Sequence, residues 1–87
     1  MAEKHGQTAR HRRISAELKR LREEAGLRAA TVAEEMGWNA TKIHRIERGE
    51  WKRLKESDIR ALCVRYGVDD RARQDSLVHM VKQASRK

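Results

Sequence analysis

GWNATKIHRIERGEWKR, residues 37–53, carries two isoleucines, Ile43 and Ile46, in a run otherwise crowded with hydrogen-bond donors. Thr41, Lys42, His44, Arg45 and Arg48 surround them. At about 100° per residue the two isoleucines share one thin stripe, and most of the donors point away from it. Core packing alone does not shape a helix with so narrow an apolar face. Asn39 is a good N-cap, and the spacing predicts a helix over about 40–48. Gly49 follows, where a left-handed residue would close it.

The same punctuation recurs along the chain. There is no proline, and Gly26, Gly37, Gly49 and Gly67 each follow a stretch of helical periodicity. They divide the chain into five helices. Ile14, Leu18, Leu21 and Ala25 line the first, over roughly 12–25. Val32, Ala33 and Met36 line the second, about 29–36, and Ile59, Leu62, Cys63 and Tyr66 the fourth, about 56–66. Leu77, Val81 and Ala84 form the stripe of the fifth, which Asp69 or Asp70 can cap. Val78 and Met80 lie off that stripe and either form a small dimer patch or finish the core. Residues 1–11 are expected to be a flexible basic arm, and 12–85 one folded domain.

Composition bounds the class. At 87 residues the chain holds one modest core. Two Trp, one Tyr and no Phe suit packed helices better than a sheet. The single Cys63 excludes an intrachain disulfide and fits a reducing compartment. No apolar run approaches membrane-spanning length, and the chain reads as cytoplasmic. A net charge of +8 and a pI near 10.4 point to a polyanionic partner, though charge alone fits a solubilising surface equally well. An acidic membrane is disfavoured, because the basic residues do not share one face of a strongly apolar helix.

Only Gly37, Trp38 and Asn39 join the second and third helices. Helices that close must cross steeply and touch. Ala33 is small where the backbones approach, and Gly37 permits the turn. Val32, Met36, Trp38, Ile43 and Ile46 supply the apolar contacts. This is helix-turn-helix spacing within an all-α chain.

LREEAGLRAATVAEEMGWNATKIHRIERGE, residues 21–50, resembles the helix-turn-helix of the phage-repressor, or xenobiotic-response-element (XRE), family. The shared residues are Leu21, Gly26, Leu27, Val32, Ala33, Gly37, Ile43, Ile46, Glu47 and Gly49. RRISAELKRLREEAGL, GWNATKIHRIERG and DIRALCVRYGV resemble more narrowly the amino-terminal domain of regulators from filamentous high-GC bacteria. The likeness implies a compact five-helix repressor-like domain. Two positions depart from the pattern: Arg28 and Ala29 stand where a Ser or Thr cap and a Gln are common. Leu54 and Lys55 replace a frequent Pro and Ser.

The resemblance implies a use for the donors. An α-helix fits the DNA major groove, with side chains near its amino end against base edges. Ala40, Thr41, His44, Arg45 and Arg48 point outward once Ile43 and Ile46 face in. The implied base contacts are Ala40, Thr41 and Arg45, with His44 beside them. Arg45 has the fork for guanine O6 and N7, and Ala40 or the Thr41 methyl suits a thymine methyl. Arg28, Lys42, Arg48, Lys52 and Arg53 are placed for phosphates. The resemblance also pairs Glu47, an acid inside the most basic stretch, with Arg22 of the first helix. The pair would orient the reading helix more than it stabilises the fold.

Other chemistry finds little support. His5, His11, His44 and His79 have no metal-site spacing, and no cofactor is implied. Cys63 lies on an apolar stripe with no paired base, as a small buried hydrophobe does. Glu34 and Glu35 diverge by about 100° on a helix and make no catalytic pair. Trp38 is expected in the core. Trp51 either packs at the base of the fourth helix or lies against a sugar-phosphate edge. The reading is a sequence-specific duplex-DNA-binding transcriptional regulator without enzyme activity, able to act as a homodimer on paired half-sites. Its rival is a protein–protein module, an antitoxin or adaptor, that keeps the helix-turn-helix as scaffold.

Overall fold

The computed structural model describes residues 9–51 and 53–85. Five helices follow in order: α1 Ala9–Glu24, α2 Ala29–Met36, α3 Ala40–Glu47, α4 Glu56–Arg65 and α5 Arg71–Ser85. No strand occurs among the described residues. The expected five-helix, all-α division therefore holds. Of the arm expected over residues 1–11, residues 1–8 lie outside the described residues, and 9–11 belong to α1.

The boundaries follow local chemistry. Gly37 closes α2 at φ +75°, a conformation costly for any residue with a Cβ. The amide of Trp38 then donates to the Ala33 carbonyl at 2.8 Å, and that of Gly37 to Glu34 at 3.2 Å. The other three expected stops, Gly26, Gly49 and Gly67, also have positive φ. Asn39 caps α3, its side-chain oxygen accepting from the Lys42 amide at 3.0 Å. Asp70 caps α5 in the same manner, accepting from the Ala72 amide at 3.0 Å.

Two helices start without such help. Arg28 precedes α2 and Lys55 precedes α4, both in extended conformation and neither making a side-chain cap. In α4, Glu56 and Asp58 in the first turn offset the positive helix end. Leu54, where the family pattern commonly has Pro, packs half-buried against the core.

The core gathers one stripe from each helix. Ile14 and Leu18 of α1, Val32 of α2, Ile43 of α3 and Ile59 and Leu62 of α4 are almost wholly buried. Val81 joins them from α5. Burying a side chain of this size contributes about 2 kcal/mol. α2 packs on α3, α1 lies between α3 and α5, and α4 closes against α5.

Several expectations need correction. α1 begins at Ala9, three residues earlier than the apolar pattern suggests, because its first turns are held by the polar His11, which is buried. Ala25 is exposed although its spacing puts it on the stripe. The chain turns at Gly26, where the Leu27 amide returns to the Arg22 carbonyl. Trp38 is half-buried against the core rather than enclosed by it. Val78 is buried and Met80 half-buried, so both complete the core.

Candidate nucleic-acid interface

α3 buries its Ile43 and Ile46 side against the domain. Thr41, His44, Arg45 and Arg48 are exposed and Ala40 is half-buried. One uncovered face therefore carries a methyl, a hydroxyl, an imidazole and two guanidiniums. Arg48 donates to Glu50 at 3.1 Å, a contact between exposed groups that solvent screens.

Lys42 takes another direction. Its ammonium lies 4.0 Å from the centre of the Trp38 ring and 3.8 Å from an Asp58 carboxylate oxygen of α4. The cation is thus turned toward the flank of α3 that meets α4, over an aromatic face that attracts it. Nothing local in the sequence connects Lys42 with Asp58, which reads as an ordinary first-turn acid.

Of the remaining expected phosphate ligands, Arg28 is exposed at the start of α2, and Arg53 is exposed after α3. Lys52 lies outside the described residues.

Arg22 and Glu47 meet. Arg22 Nε donates to Glu47 Oε2 at 2.7 Å and Nη2 to Oε1 at 3.0 Å, while Nη1 donates to the Leu27 carbonyl at 2.8 Å. The side chains are only 11% and 6% exposed. The hydrogen bond to Glu47 raises the Arg22 pKa further, against the opposing effect of burial. The pair neutralises the Glu47 carboxylate beside the cationic face of α3. Glu47 also helps burial push the nearby Tyr66 phenol up to about 12.

A second tie escapes sequence reasoning. Trp51 Nε1 donates to Ser15 Oγ at 2.9 Å, and the Trp51 ring lies 4.2 Å from that of His11. Gly49 is buried against the same serine: a Cβ there would stand 3.7 Å from Ser15 Oγ. The loop after α3 is therefore fastened to the first half of α1. Of the two alternatives for Trp51, packing is the one realised, with its hydrogen bond and ring contact on α1. Only the alternation of polar residues with Ile14 and Leu18 hints that Ser15 and His11 face inward.

Other chemistry is not assembled. Cys63 is buried, and burial raises its thiol pKa, so it is no activated nucleophile. Among the described residues no group of three or more His, Cys, Asp or Glu is arranged to hold a metal ion. No helix of the described residues is long and apolar enough to cross a membrane.

Neither curated proteins nor solved structures include a significant match to the chain. A family model described as a helix-turn-helix domain matches residues 13–77, spanning α1 through the middle of α5. With that match over most of its length, and a closely packed α2–α3 pair presenting an uncovered basic helix, the chain belongs to the helix-turn-helix domain family, in its XRE-like class of DNA-binding domains.

Proposed function

We propose that the domain binds duplex DNA sequence-specifically, with α3 in the major groove, and regulates transcription. One observation carries the reading: α3 is anchored by a two-isoleucine stripe while its outward face stays uncovered and cationic. An α-helix presented in this way matches the width of the major groove. Arg45, near the middle of that face, reads guanine through its paired donors. Ala40 or the Thr41 methyl meets a thymine methyl, and His44 lies beside them at the base edges. Arg28, Arg48, Lys52 and Arg53 hold phosphates, and Lys42 joins them on leaving Asp58. The reading needs no cofactor and assigns no catalysis. Two copies bind paired half-sites about one helical turn apart.

Selection of bound sequences from a random duplex library tests base preference, half-site symmetry and spacing together. Arg45→Ala is expected to cost about 1–3 kcal/mol on the selected site and far less on random DNA. Equal losses on both would make Arg45 a phosphate anchor. Absence of salt-dependent duplex binding by the parent domain would favour the protein–protein module instead.

A further inference from the structure

We infer that α1 carries a second line of phosphate contacts, Arg12 and Lys19, which the Trp51 anchor joins to the loop after α3. The inference rests on the DNA-binding reading and adds to it a second element. Three contacts orient α1. Arg22 grips Glu47, Ser15 accepts from Trp51, and His11 stacks near Trp51, so the chain from Glu47 to Trp51 runs along α1 from its last turn back to its first. The opposite flank of α1, with Arg13, Glu17 and Leu21, lines a groove of about 510 Å³ shared with α5.

Helix geometry then places two further cations. Arg12 and Lys19 are seven residues apart and lie within about 20° of one another around the axis, about 10.5 Å apart along it. Both sit about 40–60° beyond Ser15, on the side away from the α5 groove. Both are exposed. Arg13 adjoins Arg12 in sequence but lies about 160° from Ser15, on the groove flank. The cations nearest to one another in the chain therefore face different sides of the domain. Arg12 and Lys19 border the seam where Ser15 holds Trp51, and the chain on either side of Trp51 carries the exposed Arg48 and Arg53. Glu23, one turn past Lys19, ends the cationic stripe on the same flank. Cations on α1 and on the loop that α1 holds suit a phosphate backbone passing over both. The Trp51 hydrogen bond keeps the two elements together.

The test compares two double variants of equal charge. Arg12→Gln with Lys19→Gln removes the stripe, and Arg13→Gln with Arg73→Gln removes two cations that line the α5 groove. Binding of each to a random duplex is measured by fluorescence anisotropy across a salt series. The first variant is expected to flatten the slope of log K against log salt by about 1.8, the second to leave it near the parental value. The charge-preserving Arg12→Lys with Lys19→Arg guards against a folding artefact and is expected to keep the parental slope. Equal flattening by both neutralising variants, or none by the first, overturns the stripe while the DNA-binding reading stands. A parental domain that binds no duplex overturns both.

Discussion

Arg22 holds both carboxylate oxygens of Glu47, at 2.7 and 3.0 Å, and in doing so fixes α1 to the last residue of α3. Because both side chains are nearly buried, removing one strands the other's charge. Arg22→Ala or Glu47→Ala is expected to destabilise the domain by about 3 kcal/mol in urea unfolding. Replacing both, as Arg22→Met with Glu47→Leu, recovers most of that loss. If the pair orients the reading helix, DNA affinity stays reduced in the double variant even though stability returns.

Lys42 and Arg48 separate on stability. Arg48 pairs only with an exposed neighbour, and Arg48→Ala leaves the melting temperature nearly unchanged. Lys42→Ala removes the contact over Trp38 and is expected to cost about 0.5–1 kcal/mol, a few degrees in a domain of this size. Asp58→Asn releases the ammonium for phosphate and tightens binding at low salt. Thermal melts alongside a salt series check both statements.

Trp51→Phe keeps an aromatic ring against His11 and removes the donor to Ser15. The expected loss is about 1 kcal/mol, read as a melting point lower by about 4–8 °C. In a double-mutant cycle with Ser15→Ala the two losses are not additive, since both variants delete one hydrogen bond. Additive losses would remove the bond from the account.

His11 gives the domain an acid-side sensitivity. Burial lowers its pKa from the usual 6.5, opposed by a backbone hydrogen bond with Trp51. The unfolded chain then binds a proton that the folded domain resists, so stability is present above pH 6.5 and declines as pH falls toward the lowered value. His11→Phe is expected to flatten melting temperature against pH on the acid side of the usual histidine value of 6.5. An unchanged profile would assign the sensitivity to other groups.

Much of this architecture is legible in the sequence because it rests on short-range rules. The glycine stops, the Asn39 cap and the stripes of Ile43 and Ile46 or Ile59 and Leu62 each involve residues within a turn or two of one another. The outward face of α3 follows from the same periodicity, and the fold it implies agrees with the family match over residues 13–77. What escapes involves polar residues from distant segments. His11 and Ser15 bear no apolar signature, so neither the early start of α1 nor the seat of Trp51 can be read from spacing. Asp58 meets Lys42 only because α4 folds back beside α3. Ala25 fails in the reverse sense, since its angle is right and its neighbours are missing.

The two tryptophans stand at opposite ends of α3, Trp38 in the turn before it and Trp51 in the loop behind it. α3 is thus bracketed by two natural fluorophores, and the chain's only other phenolic or indole ring is Tyr66. Trp38 has a cation over its face, whereas Trp51 is hydrogen-bonded in a half-buried seam. Their emission should therefore differ in wavelength and in quenching by iodide. With Trp38→Phe or Trp51→Phe in hand, the domain reports separately on the front and the rear of the helix without an attached dye.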